Sequence, residues 1–275
     1  MSRNNGKVMN INYVHGYSTK EGDRLIDQAS ALTELLHSDT AYPAGSLVLE
    51  AGCGVGAQTA ALACNSPQTN FVSIDISEDS LAKAQESSRA RGLTNVSFQR
   101  ADIFNLPFPE SSFDHVFVCF VLEHLADPVK ALGKLKGVLK PGGSITVIEG
   151  DHGSACFHPE SSHARSAIQC LVDLQVRAGG DPLIGRRLYP LLRQVGFGNV
   201  RVSPRMVYAD GSMPDLVDGF TRKTFTQMVE GVAYQAVGQG LIDEASWAMG
   251  IRDLYRTAED DGTFCYTFFK AVAWR

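Results

Sequence analysis

The chain has 275 residues, 44% of them hydrophobic, and its 25 lysines and arginines against 30 aspartates and glutamates give a formal charge of −5. This is enough apolar material for one large globular core, and the acidic balance, with no basic run, excludes the electropositive stripe of a nucleic-acid surface. The longest apolar run, Val116 to Leu122, falls far short of the roughly 20 residues that span a bilayer, and the amino terminus lacks a signal-length apolar stretch, so a cytoplasmic protein without membrane insertion is expected.

Residues 1–45 precede the first strand pattern. Within them YVHGYSTKEGDRLIDQA (13–29), with Tyr13, His15 and Tyr17, reads as an amphipathic packing helix after an arm. Short apolar runs then recur as SLVLEAG (46–52), NFVSIDI (70–76), VSFQRAD (96–102) and HVFVCFV (115–121), predicting four strands. Helix-like segments separate the first three, notably residues 78–92, which close on Gly92 as a helix C-terminus does. Strands alternating with helices predict right-handed crossovers and a parallel sheet, an α/β doubly wound fold.

Asp127-Pro128 reads as an N-cap with proline at the first helical position, and that helix is expected to stop at a Lys140-Pro141-Gly142-Gly143 turn. Strand SITVIEG (144–150) follows. Beyond it the alternation breaks: residues 188–197 predict a helix, 199–209 a strand, 215–258 a helical stretch and 263–275 a final β segment that pairs with the strand before it. The expected organisation is an N-terminal arm and helix (1–45), an α/β core (46–150), and the rest of the sheet with a helical cap (151–275). Six cysteines without a C-x-x-C pair read as reduced and mostly structural.

The chemistry gathers at the predicted strand ends. Glu50 ends the first strand and Gly52, Gly54 and Gly56 follow as G-x-G-x-G, a pattern for a sharp turn or for backbone that a ligand approaches closely. Asp75 ends the second strand, where an acid commonly accepts both hydroxyls of a ribose. Asp102 ends the third, with Ile103 beside it to pack on a purine. Three acids at the carboxyl ends of three parallel strands converge on one crevice, because ligands of open α/β sheets bind beyond those ends.

VLEAGCGVG (48–56), Asp75 in SIDIS, ADIFNLPFPESSFD (101–114), FVLEHLADP (120–128) and LKPGG (139–143) together resemble the successive motifs of class I S-adenosylmethionine-dependent methyltransferases, most closely the quinone-biosynthesis and other small-molecule branch. The resemblance covers residues 46–150. It implies a Rossmann-like, mostly parallel seven-stranded sheet with an antiparallel last strand, and S-adenosyl-L-methionine as cofactor. It places Gly52, Gly54 and Gly56 against the methionine portion, Glu50 behind that loop, Asp75 at the ribose, Ile76 on the adenine, Asp102 and Ile103 at its amino edge, and Cys119 at the sulfonium end. In similar enzymes the N-terminal segment folds over the cofactor, which assigns Tyr17 a contact there.

A dinucleotide fold also has glycines after its first strand, but here the third glycine comes one residue early for G-x-G-x-x-G, and Ala57 fits only the relaxed form. The acceptor is read as a small molecule whose methylated atom is O, N or C, and no N-P-P-Y or D-P-P-Y motif follows the fourth strand. Where the acceptor must lose a proton, His152 is the preferred base, with His124, Glu123 and Asp151 as the other candidates. Spacings of six and five among His152, His158 and His163 match no compact ligand set, so no metal is expected. A catalytically silent cofactor-binding protein and an NAD(P)-dependent oxidoreductase are the alternatives. Nothing in the sequence sets an oligomeric state.

Overall fold

A computed structural model describes residues 32–275. Seven strands, β1 (Leu47–Ala51), β2 (Asn70–Asp75), β3 (Val96–Arg100), β4 (Phe113–Cys119), β5 (Leu139–His158), β6 (Gly198–Asp210) and β7 (Thr263–Trp274), form one sheet in the order β3-β2-β1-β4-β5-β7-β6. The first five pair in parallel, while β7 runs antiparallel between β5 and β6. The order reverses between β1 and β4, and this switch opens a crevice at the carboxyl ends of the central strands.

Central strands are predominantly apolar because helices cover both faces. On one side Leu49, Ile74, Val116 and Val118 meet helix α3 (Pro128–Val138) and helix α5 (Leu188–Gln194). On the other, Val48, Phe71, Phe117 and Ile148 meet helix α1 (Thr59–Asn65), α4 (Ser162–Arg177) and α6 (Glu244–Arg256). Helix α2 (Glu78–Ala90) joins β2 to β3. Local chemistry starts and stops these helices. Ser77 caps α2 by accepting from Ser80 N, Asp127 caps α3 by accepting from Lys130 N ahead of Pro128, and Gly92 closes α2 at φ +68°. Helices α4 and α6 pack closely at Gly250, where a Cβ would stand 2.6 Å from the His163 carbonyl.

Several expected boundaries move. Lys140-Pro141-Gly142-Gly143 lies inside β5 and is not a turn between helix and strand. Gly142 at φ +78° and a Gly143 whose Cβ would meet Asp114 O at 2.6 Å make a bulge there, so the register steps from Phe113↔Leu139 to His115↔Ser144. Strand β5 also continues past Gly150 to His158, because β7 is long enough to pair with it. Strand β3 ends at Arg100, leaving Asp102 in the turn beyond, bridged to Asn105.

The 16-residue helix α4 goes unpredicted, although Ser161 caps it and Ala167, Ile168, Leu171 and Leu174 mark an apolar stripe at helical spacing. The helical stretch expected over 215–258 is broken: a π-helical segment, Val217–Thr226, precedes short helices and then α6. The wide π turn brings Phe220 and Phe225, five residues apart, onto one side, where both pack on Tyr266 at 5.7 and 5.4 Å between ring centroids. Among the described residues no helix is long and apolar enough to cross a membrane.

Candidate active site

The loop after β1 is built around left-handed glycines. Gly52 stands at φ +79°, with a would-be Cβ 2.5 Å from Val121 Cγ2, and Gly56 at φ +77° lies against Ala84. Gly54, at φ +52°, has nothing within 4 Å of its would-be Cβ, so open space lies on that side of the loop. The end of β2 holds the loop: Gly52 N and Cys53 N donate to Ile74 O, and Gly54 N donates to Asp75 Oδ2 at 2.9 Å. Asp75 Oδ1 accepts from Ser77 N at 2.9 Å. Burial raises the Asp75 carboxyl above its ordinary range and backbone donors offset part of that rise.

Glu50 sits beneath the loop, 2% exposed, with Oε2 accepting from Thr59 Oγ1 at 2.8 Å and Ser73 Oγ at 2.6 Å. Burial pushes its carboxyl up to about 7. The folded state therefore binds a proton that the unfolded chain has released, so stability is present at acidic pH and is lost as pH rises from about 4.5 through 7. The loss amounts to about 3 kcal/mol for one group. Glu50→Gln retains an acceptor for both hydroxyls and carries no charge, so it is expected to unfold at higher urea than the wild type at pH 8 and at nearly the same urea at pH 5. A stability difference that stays constant across that interval rejects the assignment.

Asp102 and Ile103 complete this end of the crevice. Asp102 folds its carboxylate onto its own turn, accepting from Phe104 N at 2.9 Å and Asn105 Nδ2 at 3.0 Å, and Ile103 is buried. Ile76 is half-buried, and its carbonyl accepts from Arg100 Nε. Tyr17 lies outside the described residues.

Beyond β4 the chain turns at Phe120, a non-glycine residue at φ +57°. Glu149, midway along the neighbouring β5 and fully buried, fixes the turn: its Oε1 accepts from Val121 N at 3.1 Å and Leu122 N at 2.7 Å. Burial, with Glu123 close by, raises the Glu149 carboxyl well above its ordinary range. Cys119 is buried, and desolvation with the nearby carboxylates keeps its thiol protonated.

His152 is 4% exposed, held deeper than a loop residue after β5 would be. Its Nδ1 shares a 2.8 Å hydrogen bond with Tyr266 Oη of β7, and its Nε2 stands 4.0 Å from Glu123 Oε2. Gly150 makes the first contact possible, since a Cβ there would lie 2.4 Å from the Tyr266 hydroxyl. Phe225 approaches His152 edge-on at 6.4 Å. His124 is half-buried on the turn after β4, with Nε2 3.4 Å from Glu123 Oε1. Asp151 is committed elsewhere: Arg186 grips it at both oxygens, at 2.6 and 2.7 Å.

The structure thus gathers Glu50, the glycines and Asp75 in one place and His152, His124 and Glu123 in another, joined by the Cys119–Leu122 turn. Sequence reasoning missed Tyr266 and Arg186. The alternation of Phe264, Tyr266 and Phe268 marks a buried face, but pairing with β5 across more than a hundred residues decides what Tyr266 touches. His152, His158 and His163 form no metal cluster among the described residues.

A family model for a methyltransferase domain matches residues 49–147. The chain is 35% identical over 147 residues to an uncharacterised methyltransferase of Schizosaccharomyces pombe, covering 51% of this chain and 52% of that one. It is 39% identical over 102 residues to the demethylmenaquinone methyltransferase of Thermus thermophilus, covering 37% and 46%. The chain therefore spans about half the length of these curated relatives. Among solved structures the cyclase SpnF superposes with a TM-score of 0.55 at 20% identity, covering 90% of this chain and 80% of that one.

Proposed function

We propose that this chain, whose residues 49–147 match a methyltransferase domain model, is a class I methyltransferase that transfers the methyl group of S-adenosylmethionine to a small-molecule acceptor in the cytoplasm. The observation that carries the reading is the join of loop and acid: Gly54 opens on empty space while its amide is held by Asp75, a carboxylate at the end of β2. A nucleoside joined to an amino-acid chain fits that arrangement, with the ribose hydroxyls at Asp75, the adenine by Ile76, Asp102 and Ile103, and the amino-acid portion along Gly52–Gly56. Glu50 keeps the loop in shape through Thr59 and Ser73, and the backbone near Cys119 lies toward the reacting end.

When bound, the cofactor supplies an electrophilic methyl group on a sulfonium and leaves as the neutral thioether. The protein holds acceptor and methyl in line and excludes water, which accounts for a large share of such catalysis. His152 receives the acceptor's proton. Tyr266 occupies Nδ1 and sets the ring orientation, and the Glu123 carboxylate beside Nε2 stabilises the imidazolium that forms. Phe225, Phe220 and Tyr266 pack buried behind His152, and this aromatic backing favours an apolar or aromatic acceptor on that side. The helical elements after residue 150 serve as the acceptor cap.

The fold alone does not choose the reaction, since a cyclase shares it. Calorimetric titration with S-adenosylmethionine, S-adenosylhomocysteine and NAD tests the cofactor; tight binding of the first two with none of NAD is expected, and the reverse overturns the reading. Transfer of a labelled methyl group to the organic-extractable fraction of a metabolite pool tests the acceptor class. With that acceptor, Tyr266→Phe is expected to lower kcat by up to about tenfold through loss of one hydrogen bond to the base. Cofactor affinity should stay constant and the pH–rate profile should move; an unchanged profile would remove Tyr266 from the positioning of His152.

A further inference from the structure

The six cysteines show no pairing in the sequence, yet the sheet brings two of them together. Cys156 of β5 and Cys265 of β7 are direct cross-strand partners in the antiparallel ladder. Opposed residues in such a ladder project to the same face with Cα atoms about 4.5–5.5 Å apart. This separation lies inside the roughly 4.4–6.8 Å that a disulfide spans. Phe157, Phe264 and Tyr266, their neighbours along the strands, turn into the aromatic core, whereas Cys156 is exposed and Cys265 half-buried on the opposite face. The Cys265 thiol is hydrogen-bonded to Cys156, and burial with that neighbour pushes it up to about 11. No other two cysteines are register partners among the described strands. Cys53, Cys119 and Cys170 are buried, and Cys64 is exposed on α1.

We propose that Cys156 and Cys265 are a hydroperoxide-responsive thiol pair that closes to a cross-strand disulfide. Cys156, the accessible member, attacks one peroxide oxygen as thiolate. A sulfur–oxygen bond forms, the oxygen–oxygen bond breaks, and the departing oxygen leaves as water when the oxidant is hydrogen peroxide. Cys265 then attacks the sulfur of the Cys156 sulfenic acid; the sulfur–sulfur bond forms and a second water leaves. Two thiols lose two electrons in all, and the peroxide gains them. The bond fastens the outer ends of β5 and β7 directly beside Tyr266, the residue that holds His152 in place.

The test is titration of the full-length wild-type protein with hydrogen peroxide, followed by alkylation, digestion without reduction and mass spectrometry. The expected result is loss of two of the six thiols as a linked pair of peptides carrying Cys156 and Cys265, at peroxide levels that leave Cys64 open to alkylation. A reductant should release the pair. In Cys265→Ser the sulfenic acid at Cys156 has no resolving thiol, so dimedone should label it, with labelling of the wild type about tenfold lower. Conversion of wild-type Cys156 to sulfinic or sulfonic acid, its survival as a thiol, or its linkage to a cysteine other than Cys265 would each overturn the proposal.

Discussion

Asp75→Ala will raise the dissociation constant for S-adenosylmethionine by about 10²- to 10⁴-fold, the expected cost of losing two hydrogen bonds to a charged acceptor at about 1.5–3 kcal/mol each. The carboxylate is already placed for this work. Its two oxygens are aimed by Gly54 N and Ser77 N, and burial leaves it poorly hydrated, so little water must be stripped when hydroxyls arrive. The same burial makes affinity fall on acidification at a higher pH than for an ordinary aspartate, because protonation removes an acceptor. Alanine also leaves two half-buried amides without their partner, which costs stability. Urea denaturation of the unliganded variant measures that part, and calorimetry with S-adenosylhomocysteine measures the rest. A variant that binds within about threefold of wild type would show that Asp75 serves only to hold its own loop.

The parts of this molecule legible in the sequence are those fixed by neighbours in the chain. Gly52–Gly56 and Asp75 stand at the ends of successive strands, and parallel pairing of those strands brings them together by construction. Asp127 and Pro128 start α3 from a local hydrogen bond, so that start too could be read directly. Failures begin where pairing of distant segments decides. The length of β5 depends on β7, and so Asp151, His152 and Cys156 sit in a strand that the sequence pattern ends at residue 150. Tyr266 reaches His152 only because Gly150, on the facing strand, has no side chain. Arg186 reaches Asp151 because the turn at residues 184–187 lies against the middle of β5, at Glu149 and Gly150, a placement no spacing along the chain encodes. Helix α4 is a different case: the Ser161 cap and the stripe of Ala167, Ile168, Leu171 and Leu174 encode it locally, without help from distant pairing.

Under the proposed function, the two halves of the site divide the work along the same boundary. The cofactor half is made from the end of β1, from β2 and from their following turns, within the span matched by the methyltransferase domain. The acceptor half draws on the far end of β5, on β7 and on the π-helical segment, all beyond that span. Glu149 joins them: it lies at the boundary on β5 and fixes the Val121 and Leu122 amides next to the cofactor loop, with Glu123 following on the same turn. Specificity is therefore expected to follow the residues after 150, while cofactor affinity follows those before.

His152→Asn separates the halves. Asparagine can keep a polar contact near Tyr266 Oη where Nδ1 now stands, but it offers no nitrogen that takes up a proton at neutral pH. Loss of a positioned general base typically lowers the chemical step by about 10²- to 10⁴-fold, and kcat is expected to fall within that range. Affinity for S-adenosylhomocysteine should stay within about threefold of wild type, since Asp75 and the glycine loop are untouched. The pH dependence of the remaining rate should differ from that of the wild type, because the variant has no imidazole at this position. If kcat holds within about threefold with the acceptor identified by methyl labelling, the acceptor reaches the methyl group without giving up a proton to His152. The site would then act by alignment alone, and Tyr266 and Glu123 would be holding His152 as part of the acceptor wall.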